Sequence, residues 1–120
     1  MQLARGRLWE SRAAAYLEEQ GLTIVARSHR CRFGELDLVC SDGSHVVVVE
    51  VRARRAGALC SAAESIGPHK CRRIVQATRH FLMRNPRWQA APVRFDVVTF
   101  DAIDTTEPRI RWIQNAFEAS

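Results

Sequence analysis

The 120-residue chain predicts an α/β fold, a mixed β-sheet flanked by helices in the order α-β-β-β-α-β-β. Three observations carry that expectation. An apolar run of helical period opens the chain and stops at a glycine. Three β-type runs follow, the last two separated by Asp-Gly. A second amphipathic helix, with proline at its start and just past its end, then leads into an alternating strand.

The first helix is expected from about Ala4 to Gln20, because Trp9, Ala13, Tyr16 and Leu17 recur at i, i+4, i+7 and i+8 and Gly21 supplies the stop. Strands are expected over Leu22 to Ser28, Glu35 to Cys40 and His45 to about Arg54. Between the last two, Ser41-Asp42-Gly43-Ser44 reads as a two-residue hairpin turn. The small residues from Ala56 to Gly67 read as a loop with one short helical turn. Gly67-Pro68 opens the second helix, Ile74, Thr78, Phe81 and Leu82 mark its buried face, and Asn85-Pro86 ends it. A fourth strand is expected over Val93 to Phe100. A short fifth strand around Arg109 to Ile113 precedes a C-terminal turn.

Residues 1–120 are expected to form a single domain, since a chain of this size has no room for a second core. Its 47% hydrophobic and 26% charged residues exclude a disordered or collagen-like chain. The longest aliphatic run, Val46 to Val49, is far too short to span a bilayer, and Met1 to Arg7 lacks a signal-peptide core. A cytoplasmic protein without a membrane partner is the expectation. The net charge is +5, and between Arg27 and Arg87 there are 12 basic and 5 acidic residues, net +7. That excess favours a polyanionic partner, nucleic acid, over a merely solubilising charge.

The cysteines, Cys31, Cys40, Cys60 and Cys71, contain no C-x-x-C pair. Small core residues are the favoured reading, and a zinc site joining the His29/Cys31 and His69/Cys71 pairs is the alternative.

The hairpin carries the chemistry. A two-residue Asp42-Gly43 turn puts Ser41 opposite Ser44, Asp37 opposite Val48 and Glu35 opposite Glu50. Glu35, Asp37 and Glu50 then share one sheet face, with Asp37 and Glu50 as diagonal neighbours roughly 7–8 Å apart, in reach of one cation. Arg52 follows on the same face. Clustered like charges destabilise a sheet, so either a divalent ion or arginines such as Arg30, Arg32, Arg52 and Arg54 must offset them.

An acidic residue, a hairpin and then Glu50-Val51-Arg52 resemble the PD-(D/E)XK nuclease signature. More of the chain resembles the YraN family, which is similar to Holliday-junction resolvases of that superfamily. The matching segments are Glu10 to Leu17, Cys31 to Val39, Val48 to Arg54, Pro68-His69-Lys70, Arg94 to Val98 and Asn115-Ala116-Phe117. The resemblance implies a restriction-endonuclease-like fold and a site for Mg²⁺ or Mn²⁺. Asp37 and Glu50 would be metal ligands, the Val51 carbonyl a third, and Glu10 would complete the site from the first helix. Read without the family, Glu10 is a helix-surface acid beside Arg7 or Arg5. Asp96 is either a site residue or an arginine's ion-pair partner.

Two positions depart from the pattern. Trp9 stands where the family commonly has glycine. Arg52 stands where the superfamily has lysine; a guanidinium stays protonated, so it orients phosphate and stabilises charge but is no general base. Lys70, the only lysine, either replaces the missing amine or, the favoured reading, contacts phosphate. Arg30, Arg32, Arg54, Arg55, Lys70, Arg72 and Arg73 are the expected contacts to the nucleic-acid backbone, probed by salt rather than by sequence.

The expected function is therefore a nucleic-acid-binding protein, a metal-dependent DNA endonuclease acting on branched or otherwise structured substrates, with a homodimer matching a two-fold substrate. The alternatives are a non-catalytic DNA- or RNA-binding module and a protein-assembly factor. An exposed apolar patch near Trp88, Trp112 or Phe117 would mark the last.

Overall fold

The structure, a computed structural model, describes residues 2–58 and 65–119, with side chains from residue 6 onward. Cys60 and the centre of the expected 56–67 loop lie outside the described residues. Its elements are α1 (Gln2–Glu19), β1 (Thr23–Cys31), β2 (Gly34–Ser41), β3 (Val46–Arg54), α2 (Pro68–Arg84), a 3-10 turn (Pro86–Trp88), β4 (Val93–Asp101) and β5 (Arg109–Phe117). This is the α-β-β-β-α-β-β order, folded into one five-stranded sheet of order β1-β2-β3-β4-β5. Among the described residues only β3 and β4 pair in parallel, and α2 lies in the connection between them.

The helices cover opposite faces of the sheet. Trp9, Ala13, Ala14 and Leu17 of α1 pack on Leu38, Cys40, Val47, Val49, Val98 and Phe100. Ile74, Val75, Ala77 and Phe81 of α2 pack on Leu36, Val39, Val46, Val48 and Phe95. The four consecutive valines of β3 follow from this: Val47 and Val49 face α1, Val46 and Val48 face α2, and a strand covered on both sides needs no polar alternation. Cys40 sits in that core with its thiol pushed up to about 12 by burial, an inert packing residue. The two His-x-Cys pairs do not converge into a four-ligand group among the described residues.

Helix α1 ends as its glycine requires. Gly21 has φ +98°, and its amide and that of Leu22 bond back to the carbonyls of Glu18 and Leu17, at 3.0 Å each. A Cβ at Gly21 would meet no atom within 4 Å, so its cost is conformational alone. Gly21→Ala is expected to lose about 1–2 kcal/mol in urea denaturation. Unchanged stability would show that the helix end rearranges freely.

Three boundaries differ from expectation. Strand β1 continues to Cys31, because Arg32-Phe33 forms a tight turn and Cys31 pairs with Gly34. Strand β5 continues to Phe117 instead of turning, since a bulge at Asn115 (φ +51°) shifts its register and Phe117 stacks on Phe95. The β2–β3 turn is wider than two residues: Ser41 pairs with Val46, and Asp42 Oδ1 accepts the Ser44 and His45 amides at 2.9 and 2.6 Å. The Asp42 side chain thus supplies the bonds a tighter turn would take from the backbone. These amides hold the Asp42 carboxyl down at about 2.

Trp88, Trp112 and Phe117 are each half-buried. Among the described residues no helix is long and apolar enough to cross a membrane.

Candidate metal and phosphate site

The register correction brings the acids together. Leu38↔Val49 is the last pair of the β2–β3 ladder, and the same register carried on sets Asp37, rather than Glu35, across from Glu50. A two-residue slip preserves side-chain parity, so the shared face stands while the partner changes. Glu35 instead pairs with Arg30 across the β1–β2 hairpin, at 3.6 Å. Where the ladder ends, Asp37 takes over its bonding: Oδ2 accepts the Val51 amide at 2.9 Å.

Asp37 and Glu50 are buried enough to conflict. Glu50 is 5% exposed, and its Oε2 has no hydrogen-bond partner among the described residues. Burial first, then shared hydrogen bonding and repulsion with Glu50, hold the Asp37 carboxyl well above the usual carboxylate range; the Val51 amide and Lys70 oppose this. Glu10 approaches from α1 and accepts the Ser28 hydroxyl at 3.1 Å. Its pKa is raised, chiefly by burial and then by Asp37, which puts it in the same electrostatic cluster.

The three acids lie in an open cleft of about 670 Å³ with Val51, Arg52, Arg54, Arg55 and Lys70. Trp9 forms part of its wall, packed on Phe100 at 4.8 Å with Arg12 stacked over it at 4.7 Å. Lys70 reaches in from the first turn of α2, Nζ 3.5 Å from Glu50 Oε2. It is therefore beside the acids rather than only on an outer phosphate track. Arg52 Nε is buried and has no acceptor among the described residues. Glu50 Oε2 and Arg52 Nε are thus both buried at one cleft without a hydrogen bond; the oxygen has only the Lys70 ammonium at 3.5 Å to offset it, and the N–H has no acceptor among the described residues.

The other basic residues divide. Arg54 and Arg55 line the cleft, and Arg55 continues into an adjoining hollow with Arg109 and Arg111. Arg30 is drawn to Glu35, Arg32 stacks on Phe33, and Arg73 donates to the Phe33 carbonyl at 2.8 Å. Arg72 lines a separate groove with Arg79 and Glu118. Asp96 is fully buried and accepts from Arg94, Trp112 and the Asn115 amide, so of its two readings the ion pair is the one observed.

Sequence reasoning missed Ser28, Arg109 and Arg111. Ser28 stands across from Asp37 in the register that runs through Arg27↔Leu38 and His29↔Leu36, and has φ +51°, a conformation rare for residues other than glycine. Only the β1–β2 register could have revealed it.

The fold and cleft define a class: an α/β domain whose central hairpin opens to present paired carboxylates among arginines and a lysine. The comparisons place the chain within it more narrowly. It belongs to the uncharacterised protein family UPF0102, the YraN family, whose model matches residues 9–100. A UPF0102 protein of Pseudomonas aeruginosa is 48% identical over 116 residues, covering 96% of this chain and 93% of the relative. One from Ectopseudomonas mendocina is 46% identical over 114 residues, 95% and 94% of the two chains. One from Alcanivorax borkumensis is 43% identical over 112 residues, 93% and 90%.

Proposed function

We propose that the protein binds nucleic acid and hydrolyses phosphodiesters in structured DNA with Mg²⁺ or Mn²⁺. The observation that carries this reading is the pair Asp37 and Glu50, crowded together beside Arg52 and Lys70. The donor set fits a hard divalent cation: two carboxylates, one with an oxygen that has no hydrogen bond, beside an open cleft. Asp37 and Glu50 would hold it, with the Val51 carbonyl and Glu10 in the same cleft. A bound Mg²⁺ supplies Lewis-acid polarisation of phosphoryl oxygens and activates water.

The remaining work falls to side chains. Arg52 Nε donates to a phosphate oxygen, which replaces its missing acceptor and neutralises charge as the bond breaks. Lys70, its Nζ 3.5 Å from Glu50 Oε2, would provide the mobile ammonium that Arg52 cannot. It is placed to hold or deliver a proton at the reacting phosphate. Ser28 positions Glu10. Arg54 and Arg55 carry the flanking backbone, so Arg54→Ala and Arg55→Ala are each expected to flatten the slope of log affinity against log salt by about 1 for every DNA sequence. An unchanged slope would remove them from the interface.

The test is incubation with branched, flapped and single-stranded DNA in Mg²⁺ or Mn²⁺, comparing the natural chain with Asp37→Asn, Glu50→Gln, Arg52→Lys and Lys70→Met. Cleavage is expected in the natural chain and Arg52→Lys and lost in the others. Salt-sensitive binding without cleavage would replace the nuclease by a DNA-binding module, the reading that the arginine at position 52 favours. Light scattering with a two-fold branched substrate tests the proposed homodimer.

A further inference from the structure

The second helix carries Lys70 into the acidic cleft at one end. Ten residues on, about 15 Å along the axis, it brings His80 to a different group. His29 and Cys31, two residues apart on β1, project from one strand face toward α2. The His29 and His80 rings meet with Nε2 to Nδ1 at 3.2 Å, and the ligand atoms of His29, Cys31 and His80 all lie within 4.8 Å of one another. Phe81 meets His29 edge-on at 5.3 Å and fixes that ring from the core side. All three residues are half-buried, screened from bulk water yet reachable by an ion.

We propose that His29, Cys31 and His80 form a zinc site, independent of the acidic cleft, with its fourth position left to solvent or an incoming ligand. The geometry fits. Tetrahedral zinc with Zn–N of about 2.0–2.1 Å and Zn–S of about 2.3 Å sets its nitrogens roughly 3.3 Å apart and nitrogen from sulfur roughly 3.6 Å. The imidazole pair already stands at the first spacing. The thiol, within 4.8 Å of both nitrogens, has at most about 1.2 Å to close to reach the second.

The donor set favours the ion. Two imidazoles and a thiolate suit zinc and are poor ligands for magnesium, whereas the carboxylates of the cleft accept a hard cation such as magnesium. Without metal the rings share one hydrogen bond. On binding, the N–H between them moves to the far nitrogen of its own ring, and Cys31 releases one proton to solvent as the thiolate coordinates. No redox change occurs. The ion would clamp the end of β1 to α2, so the site links the hairpin to the helix that positions Lys70.

Cobalt tests this on the full chain, purified without metal. Titration with Co²⁺ is expected to saturate at one equivalent, with intense tetrahedral visible bands and a near-ultraviolet thiolate charge-transfer band, both bleached by one equivalent of Zn²⁺. Cys31→Ser removes the charge-transfer band, and His80→Gln weakens binding more than about a hundredfold, beyond the roughly 10–100-fold lost with a supporting contact. Cys71→Ser and the double variant Asp37→Asn/Glu50→Gln keep the full spectrum, which separates this site from the cleft. Weak octahedral bands with no tetrahedral ones in the cleft variant, a charge-transfer band surviving in Cys31→Ser, or a spectrum lost in the cleft variant would each overturn the proposal. If Cys31→Ser does not fold, the His80→Gln titration decides.

Discussion

Asp37→Asn is expected to lower the proposed metal-dependent cleavage at least about a thousandfold, roughly 4 kcal/mol of barrier, while making the protein more stable at neutral and alkaline pH. Both effects come from one cause. Burial and Glu50 raise the Asp37 pKa above its ordinary 3.8, so the folded chain holds a proton that the unfolded chain gives up. Stability from such a group is complete below its ordinary range and is lost as pH rises through the raised value. Asparagine keeps an acceptor for the Val51 amide and brings no charge. The variant's advantage should therefore be absent near pH 4 and grow with pH, a gain of several degrees in melting temperature. Mg²⁺ should raise the melting temperature of the natural chain and leave Asp37→Asn/Glu50→Gln unmoved. A variant no more stable than the natural chain at pH 8 would show that the two acids do not repel. Cleavage surviving in both single variants would point to a contaminating nuclease.

Asp96→Ala is expected to destabilise the fold by about 3–5 kcal/mol, a large part of a small domain's stability. Asp96 is 0% exposed and accepts two hydrogen bonds from Arg94, one from Trp112 Nε1 and one from the Asn115 amide, each at 2.9 Å. Alanine would leave Arg94 without its chief partner; Asp42, 3.6 Å away, compensates only in part. The Trp112 and Asn115 donors would be left unpaired where the β5 bulge bends around the carboxylate. The melting temperature should fall by roughly 10–20 °C. Asp96→Asn, retaining one acceptor, should fall between the two. A loss below about 1 kcal/mol for alanine would mean that the β4–β5 bulge is held by packing alone.

The order of elements and both helical faces were legible in the primary structure, because local periodicity and punctuation determine them. Trp9 to Leu17 and Ile74 to Phe81 repeat at helical spacing, and Gly21, Pro68 and Pro86 delimit them. The acidic pair was legible too, since the parity of a hairpin survives a two-residue error in register. What was not legible depends on partners distant in the chain. Asp42 widened the turn by bonding amides further on, which set Asp37 across from Glu50 and sent Glu35 to Arg30. Asp96 bent β5 into a bulge from another strand. The position of Lys70 beside Glu50, and of His80 beside His29, follows from how α2 crosses the sheet. That crossing is decided by the packing of valines and Phe81, and no spacing along the chain encodes it. Composition and period thus determined which side chains stand on which face of each element, and long-range packing alone decided which of those groups meet.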